Sequence, residues 1–253
     1  MKKLILIVWG VLFVSAACAQ RWDIGTNFNY TKPIGSMARN INQGFGITLE
    51  GARLLKRIPF SVGAEFSYNA YGHDRTRQEY AFDDGSITET DVIVTNSFSN
   101  LLLTGKFFLR KQRMINPYFS AKLGYSWYRT TLTIEDPEDV DGCHPLESDR
   151  LLKDGTFMAS GGAGIRIDFS SIFRKMKVNT LFFDVSAHMT QGGTVQYMNV
   201  EKKNPQQTPD SDVMAKFINN RTQVIHEHHV GYVYSSLVEM MEYRFGVIYR
   251  PNR

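Results

Sequence analysis

The sequence lacks three features that would assign a chain to a class at once: cysteine pairs, a long apolar run and an excess of one charge. Only two of the 253 residues are cysteine, Cys18 near the N-terminus and Cys143, so no intrachain disulfide framework is expected. Beyond the N-terminal region no apolar stretch approaches the ~18 residues that predict a transmembrane helix. The 29 basic residues nearly balance the 25 acidic ones, which does not favour nucleic-acid binding.

The N-terminus has the three parts of a secretory signal. Two lysines precede an apolar run over residues 4–14, and the small residues Ala17 and Ala19 follow at the spacing of a signal-peptidase site. The run is too short for a membrane-spanning helix, which needs about 20 residues. The sequence therefore predicts a signal peptide over residues 1–19 and one folded domain over residues 20–253.

Strict alternation of apolar and polar residues dominates the rest of the chain. In "INPYFSAKLGYSWYR", residues 115–129, every second residue from Phe119 to Trp127 is apolar or aromatic. This period predicts a strand with one apolar and one polar face. Seven other segments repeat the pattern. The eight predicted strands cover 21–30, 44–53, 60–70, 97–109, 115–129, 156–169, 178–190 and 237–250.

The connections between these strands alternate in length. Short basic turns join the second to the third strand, the fourth to the fifth and the sixth to the seventh. Long polar loops cover 31–43, 71–96, 130–155 and 191–236. Aromatic residues make up 13% of the chain. Together these features predict an all-β fold, an eight-stranded antiparallel transmembrane β-barrel with four long extracellular loops and short periplasmic turns.

Charged residues recur on the strand faces opposite the aromatic residues. An eight-stranded barrel has room inside only for side chains, so these charges are expected to pair with one another in a packed interior. We expect this role to be structural. The predicted interior charges are Glu50, Glu65, Lys106, Lys122, Arg166, Asp168, Asp184, Glu242 and Arg244, with His188 at the same parity.

Three stretches carry a resemblance to a known family. With the signal and the eight segments, "NPYFSAKLGYSWY", "SGGAGIRIDF" and "YRFGVIYR" resemble the OmpA-like outer-membrane β-barrel domain family. The resemblance covers the whole chain after the signal. It implies a barrel-only protein in the cell outer membrane. Its motifs are patterns of alternation, so they indicate a fold and do not identify an activity.

One serine–histidine pair invites a catalytic interpretation. Lipid A deacylases are eight-stranded barrels with a His/Ser pair that faces lipid, and Ser186 and His188 lie together on the seventh strand. A nucleophilic serine needs a base within hydrogen-bond reach and a third group that orients the base. Both residues have inward parity and no acid partner is evident, so we do not expect an enzyme.

Two loops contain groups that could bind metal ions. The acidic stretch "EDPEDVDG" resembles a hard-cation site in composition, although its spacing differs from that of an EF-hand. The "HEHH" stretch could place imidazoles on one side of a strand for zinc or copper. We favour a solvated acidic loop and a chance histidine cluster, and expect no cofactor. The weak candidate ligands are Asp136, Asp139, Asp141, His226, His228 and His229.

The sequence favours a non-enzymatic, structural or accessory outer-membrane barrel that binds through its loops or is a subunit of a larger outer-membrane complex. The alternatives are a narrow pore and a lipid-modifying barrel enzyme. The expected partners are outer-membrane lipid and lipopolysaccharide, with a protein partner at the long loops or barrel wall, and no nucleic acid. Basic residues in the short turns could meet lipid phosphates or a periplasmic partner. These are Lys56, Arg57, Arg110, Lys111, Arg113, Arg174, Lys175 and Lys177.

Overall fold

The computed structural model describes nine strands, eight of which close into a barrel. The described residues are 22–55, 58–81, 87–109, 114–135, 147–169, 181–201, 203, 208–219 and 224–251. The strands are β1 (Trp22–Pro33), β2 (Gly44–Leu54), β3 (Phe60–Ala81), β4 (Ile87–Phe108), β5 (Ile115–Ile134), β6 (Glu147–Asp168), β7 (Leu181–Asn199), β8 (Ser211–Asn219) and β9 (Val224–Tyr249). None of these residues forms a helix long and apolar enough to cross a membrane.

Strand β9 closes the barrel by pairing with β7 on one side and β1 on the other. Every pairing is antiparallel, and the strands from β1 to β7 pair in sequence order, each with the next. The predicted closed, eight-stranded antiparallel barrel is confirmed, with β8 as an additional strand beside β9. We call the end with the β2–β3, β4–β5 and β6–β7 connections the turn end, and the opposite end the loop end.

Several strands extend further than the alternation of large residues predicts. The sequence predicts loops over 71–96 and 130–155, whereas β3 and β4 pair out to Ala81 and Ile87, and β5 and β6 pair out to Ile134 and Glu147. These loop boundaries are wrong. The outer parts of β4 and β5, residues 87–96 and 130–134, are rich in threonine, valine and isoleucine, which favour strands even where the outward face is polar. The outer parts of β3 and β6 lack this composition and extend by pairing with β4 and β5.

The loop end of the barrel separates into two facing sheets. Strand β6 pairs with β7 only as far as Met158 and Gly192, and β2 pairs with β3 only as far as Phe45 and Ala70. Beyond these points β3–β6 form one sheet, and β7, β9 and β8 form the other. An apolar cluster joins them: Val92, Val94, Leu132, Ile134, Met198, Val230 and Val233. We call this two-sheet structure the loop-end head.

The connection between β1 and β2 folds over the loop end of the barrel. A short 3-10 helix, Met37–Arg39, places Met37 in the interior, and Ile41 follows it; the two side chains are 0% and 2% exposed. The Asn40 side-chain amide donates to the Tyr197 hydroxyl at 2.7 Å. Lys203 donates to the Ala38 and Ile41 carbonyls, both at 2.8 Å. We call this connection between β1 and β2 the lid.

Candidate functional site: the interior and the outer wall

An ion-pair cluster fills the interior at the turn end. Arg166 donates to Asp23 at 2.6 Å and approaches Asp184 at 3.4 Å. Arg250 binds both oxygens of Asp23, at 2.6 and 2.9 Å. The Tyr118 hydroxyl donates to Asp184 at 2.6 Å. Each charge here meets a group of the opposite sign or a hydrogen-bond donor, as a buried charge requires.

A second cluster lies nearer the middle of the barrel. Glu65 is shared between Arg244, at 2.8 Å, and Lys122, at 3.1 Å. Arg244 also donates two hydrogen bonds to Glu242, at 2.8 and 2.9 Å. All four side chains are at most 5% exposed. Arg244 therefore bridges two carboxylates, so two positive and two negative charges balance inside the wall.

The structure buries all nine sequence-predicted interior charges, and most of them lie in these two clusters. Lys106 and Glu50 form a separate pair at 2.5 and 2.8 Å. Asp168 is 3% exposed. Sequence reasoning missed Asp23 and Arg250. The parity of Asp23, between the outward Trp22 and Ile24, was the available signal.

His188 has a different serine partner from the one that the sequence suggests. Its Nε2 lies 2.8 Å from the hydroxyl of Ser120 on β5. Ser186 is 6% exposed and His188 is 1% exposed, both inside the barrel. No described residue hydrogen-bonds to Nδ1 of His188, so no group orients this ring as a catalytic base. The pair faces the interior, where a lipid chain on the outer wall cannot reach it.

Amide and hydroxyl groups form the next layer towards the loop end. Asn29 donates to Thr48 at 2.7 Å, and Asn100 donates to Ser67 at 3.0 Å. Asn69 accepts a further bond from Asn29 at 3.3 Å. These side chains are neutral and hydrogen-bond to one another, so this layer of the interior is polar but uncharged.

An aromatic layer closes the interior above the amides. The Phe98 and Tyr128 rings stack with centroids 5.3 Å apart, and Tyr128 lies 6.4 Å from Tyr197. Tyr128 and Tyr197 are 0% exposed. Met37 and Ile41 of the lid pack on the same cluster. Side chains thus fill the described interior from the turn end to the lid.

The candidate metal ligands are not brought together in the described part of the chain. Three of them, Asp136, Asp139 and Asp141, lie outside the described residues, as do the basic residues of the short turns. His226 and His228 lie on β9, and the structure describes only their backbone. His229 is exposed and its ring packs 4.2 Å from that of Tyr232. The described residues contain no group of three metal-binding side chains.

Large apolar side chains cover the outer wall. On β5 they run from Phe119, 57% exposed, through Leu123, 61% exposed, to Trp127. This row of nine residues matches the ~9–11 residues with which a tilted strand crosses a bilayer. We call this surface the outer belt. It includes Ile24, Phe28, Phe45, Ile47, Leu49, Val62, Phe66, Leu101, Leu103, Phe107, Phe119, Leu123, Ile165, Val185, Met189, Phe245 and Val247.

Aromatic residues border the outer belt on its loop-end side. Tyr30 and Tyr243 lie side by side, with ring centroids 6.1 Å apart. Tyr125 contacts both Trp127 and Phe157, with centroids 5.1 Å apart in each pair. Amphipathic rings at this level are typical of a membrane–water interface.

These features define a closed eight-stranded antiparallel β-barrel that is apolar outside and charged inside. No family model and no curated protein matches the chain. Similar solved structures include Neisserial surface protein A, at 10% identity over 90% of this chain and 96% of that chain, with a TM-score of 0.41.

Two further solved structures are similar to the chain. A major outer membrane protein from Thermus thermophilus has 10% identity over 92% of this chain and all of that chain, with a TM-score of 0.43. Ail, the attachment invasion locus protein of Yersinia pestis, solved with the heparin analogue sucrose octasulfate, has 12% identity over 92% of this chain and 97% of that chain, with a TM-score of 0.36. Similarity at this level assigns neither a family nor a role.

Proposed function

We propose that the chain is a non-enzymatic outer-membrane β-barrel protein of the OmpA-like kind, exported by a signal over residues 1–19. One observation carries the proposal: the outer belt exposes a continuous apolar surface while the ion pairs are buried inside. In water this arrangement would expose far more contiguous apolar surface than a monomer tolerates. In a bilayer the same wall meets hydrocarbon, and closure of the barrel leaves no unpaired edge in the spanning region.

Arginine substitutions on the outer wall test this proposal. Leu123→Arg places a charge in the middle of the outer belt, where a bilayer makes it cost about 2–4 kcal/mol. Leu237→Arg is the matched control, since Leu237 is also exposed, at 51%, but lies beyond the aromatic border in the loop-end head. We expect Leu123→Arg alone to lower the urea midpoint of the chain folded in lipid vesicles. Equal effects of the two substitutions would refute a bilayer around the outer belt.

We propose that recognition takes place at the loop-end head, because the interior is filled and the outer belt faces lipid. The head has its own apolar core and carries the edge strand β8. Affinity purification of a tagged chain at native expression, in mild detergent, tests for a partner. The proposal predicts that one protein co-purifies in stoichiometric amount and no longer does so when residues 208–219 are replaced by a short glycine–serine linker. That result would support a loop-end head that binds a partner or a chain that is a subunit of a complex. Purification of the barrel alone would contradict a stable protein complex.

The filled interior disfavours a narrow pore. The lid and the aromatic layer around Tyr128 and Tyr197 cross the barrel. We expect planar bilayers containing the protein to show no discrete channel openings. Openings that persist in the purified full chain would replace our proposal with a pore.

The buried Ser120–His188 contact disfavours a lipid-modifying enzyme, since neither group faces the outer belt. We expect lipid A from cells that overproduce the protein to have an unchanged mass. A mass change that is lost in His188→Asn would contradict a non-enzymatic role.

A further inference from the structure

Two cations lie side by side on the outer wall just above the aromatic border. Arg129 on β5 is the direct cross-strand partner of Lys153 on β6, and both side chains are exposed. Both have the outward parity of two aromatic residues: Trp127, the next outward residue on β5, and Phe157, which follows Gly155 on β6 towards the outer belt. Side chains at such paired positions have Cβ atoms about 4.5–5.5 Å apart.

The described residues offer this pair no neutralising partner. No described carboxylate lies within ion-pair distance of Arg129 or Lys153. The next outward pair along β5 and β6 is Thr131 and Arg150, which adds a third exposed cation. Like charges directly opposite each other on a sheet are destabilising. The arrangement therefore favours an anion from outside the chain.

Two arginines on β3 differ from this pair because they have carboxylate partners. Arg75 on β3 binds Asp91 at 2.5 Å and Glu135 at 2.8 Å, and Arg77 lies 3.6 Å from Asp91. These cations are further from the outer belt and already have carboxylate partners. The Arg129–Lys153 pair, by contrast, lies directly above the aromatic border, next to the level of the lipid headgroups.

The chemistry of the pair suits a phosphate group. The guanidinium of arginine matches two phosphate oxygens with parallel donors, and lysine adds a compact positive charge. Each cation near an anionic membrane surface strengthens binding to that surface. Continuity with the outer belt selects a lipid over free phosphate, because acyl chains of the same molecule can lie on the apolar wall beneath.

We propose that Arg129 and Lys153 bind the phosphate group of a membrane lipid whose acyl chains lie against the outer belt. This site rests on the proposed outer-membrane function. The probe is lipid A, a phosphorylated acylated glucosamine disaccharide, mixed into phosphatidylcholine nanodiscs. Native mass spectrometry of the released protein counts the lipid A molecules that remain bound.

The decisive comparison uses two double variants with the same change in charge. We expect Arg129→Gln with Lys153→Gln to retain at least tenfold less lipid A than the unmodified chain. Arg75→Gln with Arg77→Gln should retain lipid A within twofold, because those cations are paired with carboxylates. Both variants should insert into nanodiscs as efficiently as the unmodified chain, since the changed side chains are exposed.

Each other outcome overturns a distinct part of the inference. Normal insertion with equal lipid A retention in both double variants would remove the site and leave the proposed function intact. Failure of the unmodified chain to insert would refute the proposed function and the site with it. Inorganic phosphate that binds at Arg129 as tightly as lipid A, in nanodiscs of phosphatidylcholine alone, would refute the assignment to a lipid.

Discussion

At the scale of single residues, Arg244 is the charge that links the two carboxylates of the middle cluster. It contacts Glu65 and Glu242, and all three side chains are buried. Arg244→Met would leave two buried carboxylates with only Lys122, which lies 3.1 Å from Glu65. We expect the free energy of unfolding in lipid vesicles to fall by about 3–5 kcal/mol, the cost of breaking a buried pair from one side.

An exposed arginine provides the control for this substitution. The Arg77 side chain is 72% exposed and lies 3.6 Å from Asp91. We expect Arg77→Met to change the free energy of unfolding by less than about 1 kcal/mol, as exposed ion pairs do. Similar losses in the two variants, measured by urea titration of tryptophan fluorescence, would contradict a packed interior.

The Arg75–Asp91 pair, which lies in the loop-end head, gives a pH-dependent prediction. The hydrogen bond from Arg75 holds the pKa of Asp91 below its ordinary value of 3.8. Because this folded-state pKa is lowered, the pair stabilises the fold above pH 3.8 and loses that effect as the pH falls through the lowered value. In Arg75→Gln we expect the Asp91 pKa to rise towards 3.8.

Carboxyl NMR titration of the protein in micelles measures this pKa. Arg77→Gln is the matched variant and should shift the Asp91 pKa less, because Arg77 lies 3.6 Å from Asp91 and Arg75 lies at 2.5 Å. A larger shift in Arg77→Gln than in Arg75→Gln would show that the assigned partner is wrong.

Parity alone predicted which charges point inward, but it could not predict which charges meet. Glu65 and Arg244 are 179 residues apart in sequence, and their contact depends on barrel closure. Asp23 and Arg250, which were missed, meet across the β1–β9 closure at 227 residues' separation. Alternation is a local signal, whereas ion-pair partners depend on strand tilt and on the register of distant strands.

At the scale of a strand, β6 contains two adjacent glycines with opposite surroundings. A Cβ on Gly161 would have nothing within 4 Å, whereas one on Gly162 would collide with the Ala187 carbonyl oxygen on β7. We expect Gly162→Ala to destabilise the barrel by about 1–3 kcal/mol, as overpacking does. Gly161→Ala should be neutral or slightly stabilising, because it removes a flexible residue from a strand.

Urea midpoints in lipid vesicles, together with the yield of folded protein, separate these two glycine variants. Equal midpoints would mean that β6 and β7 are further apart than the described pairing of Gly162 with His188 allows.

Pairing between strands also explains why the sequence pattern underestimates strand length. Contacts with the neighbouring strand fix a strand end, and β8 was missed because its pairing with β9 lies within a stretch that reads as a polar loop.

At the scale of the whole molecule, eight alternating segments were enough to predict a closed barrel with its polar face inside. The loop-end head was not predictable in the same way. In the outer belt the large apolar residues point outward, whereas in the head Val92 and Val94 of β4 point inward. The apolar face of the wall therefore changes from the outside in the outer belt to the inside in the head. Predicting this change requires knowing which strands continue beyond the barrel and which strands stop.

Closure of the barrel by β1 and β9 gives the last prediction. Thr26 and Val247 are direct partners across this closure. Their Cα atoms should therefore lie about 4.5–5.5 Å apart, within the range that a disulfide spans. With Cys143 replaced by serine, Thr26→Cys with Val247→Cys should form an intrachain disulfide on mild oxidation of the folded protein. Thr26→Cys with Phe183→Cys is the control, because β7 lies two strand spacings, about 9–10 Å, from β1. Equal disulfide yields in the two variants, assessed by gel mobility before and after reduction, would show that the wall is open or differently ordered.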